Sequence, residues 1–332
     1  MRDFKIGYQA SLEQYQPDVA FEHAIRAEKV GFDSIWASDH FLPWYHTNAS
    51  AVFAWTWLAS VAQASRNLLL GTGATCPTLR YHPGVVAEAF ASLDYMYPGR
   101  FFVSFATGEA LNEVPLGYRW PSYTERAERL EEAVAVIRKL WSGDWVTMKG
   151  KYYNLKNARL YTPPKTHIPV YIAASGPTAA EIAGRIGDGF LTVPTSDERY
   201  KEVLFPALEK GIRAVERNLD GIDMAIEIGM SYDEDVEKAL KAVRPWAGTL
   251  LPVGHESDPR EIELMGAGVS DQQLSQAWTI ATSSDRFIEA IERFVKMGFR
   301  NVHVTSSSPD ENKFIEMFGH EVIPYLKDEF RT

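Results

Sequence analysis

The stretch ASDHFLPW sets Asp39 and His40 side by side where the strand-like run DSIWA stops, with Trp44 four residues after the imidazole. An imidazole titrates near neutrality, which suits a general base that takes a proton from a hydroxyl. Glu109, in ATGEALN, suits a second proton carrier or an anion beside the same centre, and Glu13 follows the first strand-like run. Aromatic residues concentrate in FLPWYH and VFAWTW, and flat rings can wall a pocket for a flat ligand. Asp39 and His40 are adjacent, so on an extended strand they point apart, and no His-x-His or His-Glu-x-x-His spacing offers a metal site. No Gly-x-Ser-x-Gly follows a strand-like run, which leaves no serine-nucleophile elbow. The chemistry these residues suit is acid–base work beside a bound organic cofactor.

Such residues must be carried by something that brings them to one place. Along the chain, strand-like and helix-like runs alternate: KIGYQA, DSIWA, LLLGTG, RFFVSFATG, PVYIAAS, GFLTV, MAIEIGMSY and NVHVTSSS are separated by segments of helical period. About eight such units predict a (β/α)8 TIM barrel, parallel strands inside and helices outside, forming one α/β domain over residues 1–332. An open doubly wound sheet would show a Gly-x-Gly-x-x-Gly turn after its first strand, and QASLEQYQPD has no glycine.

In such barrels, function gathers at the C-terminal ends of the strands. The unusual residues fall there in series: Ser11-Leu12-Glu13, Asp39-His40, Gly73-Ala74-Thr75-Cys76-Pro77, Thr107-Gly108-Glu109 with Asn112, Ser175-Gly176-Pro177, and Thr192-Val193-Pro194-Thr195. Each has an ordinary reading as well: an Asp before a helix is a cap, a lone His is structural, and Glu109 is a first-turn helix charge. Six on one rim are hard to explain as caps alone. Gly73 and Ala74 allow close backbone approach to a planar ring. Ser175-Gly176-Pro177 opens a helix whose free N–H groups attract phosphate, although a plain Ser/Gly cap has the same spelling.

The 332 residues carry a net charge of −10, which argues against a nucleic-acid partner or an anionic membrane surface. One cysteine cannot form an internal disulfide or a thiolate metal cluster. No run approaches the roughly eighteen uninterrupted apolar residues of a membrane span, and the first residues lack a signal-peptide core. A cytoplasmic protein acting on a small molecule is expected. Two segments break the rhythm. Residues 145–162 read as a β-hairpin insertion turning at Lys149-Gly150. Residues 247–275 are punctuated by Gly and Pro and read as irregular, forming a lid over the pocket.

The motifs GYQASLEQYQP, ASDHFLPWYH, LLLGTGATCPTLRYHP, YPGRFFVSFATGEALNE, WPSYTERAERLEEAV, YIAASGP and GDGF together resemble the deazaflavin (coenzyme F420)-dependent dehydrogenases of the luciferase-like barrel superfamily, over essentially the whole chain. The resemblance implies F420 as cofactor, with FMN as the alternative, and a homodimer. It implies that His40 takes the proton of an alcohol as hydride passes to the deazaflavin, with Trp44 and Glu109 flanking the reacting carbon and Glu13 supporting them. Asp39, Cys76, Thr107, Gly108 and Asn112 match cofactor contacts, Gly73 and Ala74 the bulge behind the ring, and Ser175 and Gly176 the phosphate site; Val193 is counted with them.

Within the family, sugar-phosphate enzymes hold the substrate phosphate with a Thr, two Lys and an Arg. The corresponding stretches here, LTVPTSDER, TLLPVGHESDPRE and LSQAWTIATSS, have no Lys at either matching place, and Ala277-Trp278 stands where an Arg-Trp pair would be. Arg199 and Arg260 are the cations that could substitute. A dianion without cations is strongly penalised, so a non-phosphorylated alcohol is the expected substrate. A glucose-6-phosphate dehydrogenase on the same cofactor, an FMN-dependent monooxygenase and a non-catalytic F420-binding protein are the alternatives.

Overall fold

A computed structural model describes residues 4–330. Its strands are β1 (Lys5–Ala10), β2 (Ser34–Ala37), β3 (Leu69–Thr72), β4 (Val103–Phe105), β5 (Val146–Lys149), β6 (Asn154–Ala158), β7 (Val170–Ala173), β8 (Gly189–Thr192), β9 (Asp223–Tyr232), β10 (Thr279–Ala281) and β11 (Asn301–Ser306). Setting aside β5, β6 and the short β10, eight parallel strands alternate with helices, and the fold is a (β/α)8 barrel. By contacts the chain divides into two units: one runs to Leu68 and resumes at Asp223, taking in Thr192–Pro194; the other holds Leu69–Leu191 and Thr195–Ile222.

In the first unit β1 pairs in parallel with β2 and with β11, β11 pairs with β9, and β10 adds to the far end of β9. Alternate residues of each strand face inward. Gly7 lies opposite Ser34 on β2 and His303 on β11. A Cβ there would lie 2.5 Å from Ser34 Oγ and 3.0 Å from His303 Cβ. Only glycine lets those two approach, and the vacated space is filled by Trp36 stacked on His303, centroids 4.1 Å apart and planes 6° apart. Tyr8, one residue on, faces the other way and meets Phe32 edge-on.

In the second unit β4 pairs with β7 and β7 with β8, all parallel, and bridges join Leu70 to Phe101 and Thr75 to Phe105. Helices are started by proline in the first turn at Pro17, Pro83 and Pro177, where the missing N–H is not needed. The helix Tyr123–Trp141 is capped by the Ser122 hydroxyl and buries a stripe including Leu130, Val134 and Ile137. Residues β5 and β6 form an antiparallel hairpin pairing Lys149 with Asn154. The Glu132 carboxylate accepts the N–H groups of Lys151, Tyr152 and Tyr153 and so ties the hairpin's turn to that helix.

The segment 247–275 is not irregular, as its Gly and Pro content suggests. It holds the end of a 3-10 turn, Arg244–Leu250, and two short helices, Pro259–Gly266 and Asp271–Ala277. Asp258 caps the first, and Ser270 with Gln273 forms a capping box on the second. Both caps satisfy otherwise orphaned N–H groups, which lets helices this short persist. Helix ends also differ elsewhere. The run from Asp197 passes through a wide π turn, Tyr200–Leu204, before the helix Phe205–Ala214, because Pro206 has no N–H to donate.

Candidate active site

The first unit builds a proton-handling cluster at the ends of β1 and β2. Glu13 is almost fully buried and is held by the Ser38 hydroxyl, which donates to Oε2. Ser38 Oγ in turn accepts the Leu12 N–H at 3.0 Å, and the Glu13 carbonyl accepts the Ser50 N–H at 2.8 Å. So fixed, Glu13 Oε1 stands 3.5 Å from His40 Nε2. That is longer than a close hydrogen bond. The His40 ring lies 5.4 Å from that of Trp44. Three residues proposed to share a centre, Glu13, His40 and Trp44, are thus brought together. Asp39 is buried beside them, and Val193 is 47% exposed on the loop after β8.

Trp44 packs on an aromatic cluster. Tyr45 meets Trp246 edge-on at 5.3 Å, Trp246 lies 6.1 Å from Trp278, and Leu251 and Ile280 fill in around them. The helix Pro259–Gly266 holds the loop that carries Trp44: Glu263 Oε2 accepts the N–H groups of His46 and Thr47 at 2.7 and 2.8 Å. Burial pushes this carboxyl up, but those hydrogen bonds and the nearby His46 outweigh it and hold it below its ordinary value.

Two residues that sequence reasoning missed also belong to this unit. Glu227 on β9 and His303 on β11 are register partners, with Nε2 and Oε2 3.7 Å apart. Both are hidden among the apolar spellings MAIEIGMSY and NVHVT; the inward polar alternation of those runs was the available signal.

The second unit gathers the small and polar residues of the third, fourth and fifth strand ends. Gly73 and Ala74 follow β3 and are joined by a cis peptide. Cys76 is buried, its sulfur 3.0 Å from the Thr78 hydroxyl. Burial, reinforced by Glu113, pushes the thiol up to about 12, so it is a protonated contact group and not a thiolate nucleophile. Gly108 has φ +85° and a Cβ there would lie 2.5 Å from Cys76 Sγ. Thr107 and Glu109 on either side are half-buried. Asn112 Nδ2 donates to Glu109 Oε2 at 3.1 Å.

Gly176 is the N-cap of the ten-residue helix Pro177–Ile186, with open space where its Cβ would be, and the Arg199 guanidinium donates to the Ser175 carbonyl at 3.0 Å. A helix start beside an unobstructed glycine and an arginine suits a phosphate, and the close-packed Gly108 suits a flat ring. These residues fit a long, phosphate-bearing, planar cofactor.

Comparison with known proteins agrees. Residues 5–301 match the luciferase-like monooxygenase family, and the chain belongs to it. The F420-dependent glucose-6-phosphate dehydrogenase of Mycolicibacterium smegmatis is 42% identical over 98% of this chain and 99% of its own. A solved structure of an F420-dependent secondary alcohol dehydrogenase, in complex with an F420–acetone adduct, is 43% identical, with a TM-score of 0.94 over 97% of this chain and 99% of that one. The coenzyme F420-dependent tetrahydromethanopterin reductase of Methanopyrus kandleri superposes with a TM-score of 0.82 at 25% identity, over 98% of this chain and 99% of its own. Within its family this chain is an F420-dependent dehydrogenase acting on CH–OH donors. Among the described residues, no helix is long and apolar enough to cross a membrane.

Proposed function

We propose that the substrate is a small, uncharged alcohol and that His40 is the general base. The observation that carries this reading is the aromatic cluster: Trp44, beside His40, packs on Tyr45, Trp246 and Trp278. An apolar aromatic surface beside the base favours a short apolar chain over a dianion. The arginines nearest in sequence to a phosphate role have other partners. Arg260 is held by Asp258 two residues away, Arg244 by Asp271 and the Val269 carbonyl, and Arg199 by the Ser175 carbonyl.

Bound F420 supplies the hydride acceptor. Asp39, Gly73, Ala74, Cys76, Thr107, Gly108, Asn112, Ser175, Gly176 and Val193 would hold it. His40 takes the hydroxyl proton as the carbinol carbon gives up its hydride, Glu13 supports the imidazole, Trp44 orients the carbon, and Glu109 exchanges a proton near the reacting centre. A second reading, glucose 6-phosphate as substrate, is favoured by the 42% identity to enzymes of that name.

The test is the loss of the oxidised deazaflavin absorbance when enzyme and F420 meet each substrate. Bleaching with 2-propanol and none with glucose 6-phosphate is expected; the reverse overturns the alcohol reading. Absence of bleaching with every hydroxyl donor tried would leave F420 binding alone or a flavin enzyme. His40→Ala should lower turnover by about 10²–10⁴-fold while F420 affinity holds; unchanged turnover would remove His40 as the base. A cytoplasmic homodimer is part of the same reading, and light scattering at a single chain mass would refute the dimer.

A further inference from the structure

The run NVHVTSSSPDE, which the proton chemistry leaves unused, closes a lock around the turn that carries Glu13. Glu311 is buried at the first position of the helix Glu311–Met317 and accepts from three hydroxyls. Tyr8 donates to Oε1 at 2.8 Å; Tyr15 and Ser306 donate to Oε2 at 3.1 and 2.7 Å. The serines that follow β11 are tied in turn to β9 and the segment after it. Ser306 and Ser308 share a hydrogen bond of 2.8 Å, and the Ser308 hydroxyl accepts the Tyr232 N–H at 3.0 Å. Ser231 donates to the Ser307 carbonyl at 2.8 Å, and Ser307 Oγ donates to the Ala242 carbonyl at 2.7 Å. The parallel neighbours β1, β11 and β9 thus end in one buried polar network, which rigidifies its members when every bond is made.

Tyr15 carries that rigidity to the turn after β1. Its hydroxyl donates to Glu311 and accepts from Gln14 Nε2 at 2.9 Å, and the same Nε2 lies 3.5 Å from Ser307 Oγ. Its ring is braced edge-on against His23 of the helix Pro17–Val30, centroids 4.7 Å apart. The turn closes on the Ser11 carbonyl, which accepts the Gln14 N–H at 3.0 Å and the Tyr15 N–H at 3.4 Å. Glu13 lies inside it. Ser38 holds the carboxylate and the Leu12 N–H on one side; Gln14 and Tyr15 hold the chain on the other. Glu13 Oε1 stands 3.5 Å from His40 Nε2, at the edge of hydrogen-bond reach, so a small drift of the turn breaks the contact.

Resting on the reading of Glu13 as the support of His40, we propose that Tyr15, anchored by Glu311, is a positioning residue that holds the turn 11–15 so that Glu13 keeps its place against the imidazole. Tyr15 takes no part in the proton transfer. Its two hydrogen bonds fix the residues that follow Glu13, over 296 positions of chain between Tyr15 and Glu311.

The experiment is Tyr15→Phe in the full-length enzyme, alone and combined with Glu13→Gln. The phenylalanine keeps the ring on His23 and removes both hydrogen bonds. With F420 and 2-propanol, kcat should fall about fivefold to twentyfold, while KM and the F420 Kd each change less than about twofold. Amide exchange at Gln14 and Tyr15 should quicken. Glu13→Gln alone should lower kcat at least about fivefold, and adding Tyr15→Phe to it should change kcat by less than about twofold, because the group being positioned is gone. Tyr8→Phe removes a hydroxyl from the other oxygen of the same carboxylate; it should lower thermal stability and leave kcat within about twofold of wild type. Gln14→Leu cuts the link on the far side of the Tyr15 hydroxyl, should lower kcat in the same way, and serves if Tyr15→Phe does not fold. Losses that multiply in the double variant, or a Tyr8→Phe loss equal to that of Tyr15→Phe, overturn the inference while leaving Glu13 as the support. A wild-type kcat in Glu13→Gln overturns that support, and the inference falls with it.

Discussion

Trp278 lies so close over Gly229 that a Cβ on that glycine would come within 2.9 Å of the indole ring. Gly229 sits on β9 two residues beyond Glu227, and Trp278 closes the aromatic cluster behind Trp44. The absence of a side chain at one position thus sets where an aromatic wall stands.

Gly229→Ala should therefore push Trp278 outward. We expect KM for a short alcohol to rise about tenfold, with F420 affinity unchanged and stability lowered by about 1–3 kcal/mol. Steady-state kinetics with cofactor titration checks this; an unchanged KM would mean that Trp278 does not line the substrate's site.

The carboxylate of Glu263 bears on the same wall from the other side, because it holds the backbone of His46 and Thr47 just after Trp44. Replacing it with Ala leaves those N–H groups to solvent. The loop should loosen, with faster amide exchange over residues 44–49 and a kcat/KM reduced about fivefold to fiftyfold, corresponding to roughly 1–2 kcal/mol for the lost charge-assisted bonds. Exchange rates equal to wild type would show that the loop is held by packing alone.

Gly108 joins conformation and space in one residue: its φ is +85°, and Cys76 Sγ occupies the place of a side chain. Gly108→Ala should weaken F420 binding at least tenfold and cost about 1–3 kcal/mol of stability. Gly108→Ala combined with Cys76→Ala relieves the contact but not the backbone strain, so the double variant should recover part of the loss. Full recovery would assign the whole effect to the sulfur, and none to the backbone.

Away from the reacting centre, Glu311 accepts hydrogen bonds from Tyr8, Tyr15 and Ser306 in a buried site. Burial raises its carboxyl to about 7 despite those bonds. The folded chain then holds a proton that the unfolded chain releases from about pH 4.3 upward. Stability contributed by this group falls as pH rises through that window and is level above it, by up to roughly 3 kcal/mol. Glu311→Gln removes the slope, so denaturation midpoints should favour the variant more at pH 8 than at pH 5. His23, held down to about 4 chiefly by burial, slopes the other way over a similar range, but it is present in both proteins and cancels in the difference. An equal difference at both pH values would refute the assignment.

How much of this could be read from residue order alone varies along the chain. KIGYQA and the long helix Tyr123–Trp141 coincide with their spellings, because local period and capping act over a few residues. The Ser175-Gly176-Pro177 helix start was visible for the same reason, being written in neighbouring residues, whereas the cis peptide joining Gly73 to Ala74 is not spelled by composition. The helices within 247–275 were missed although the Asp258 cap and the Ser270–Gln273 box were in plain sight, since the glycines and prolines around them drew the reading toward loop.

Residue order by itself determined the alternation of strand and helix, the family, the deazaflavin chemistry, and His40 and Glu13 as neighbouring stations along the chain. Only the tertiary structure decided that Ser38 locks Glu13, that Trp278 covers Gly229, and that Glu227 and His303 meet. The physical reason is distance along the chain. Glu227 and His303 are 76 residues apart in sequence and become neighbours through the parallel register of β9 and β11, a pairing that no local pattern spells out.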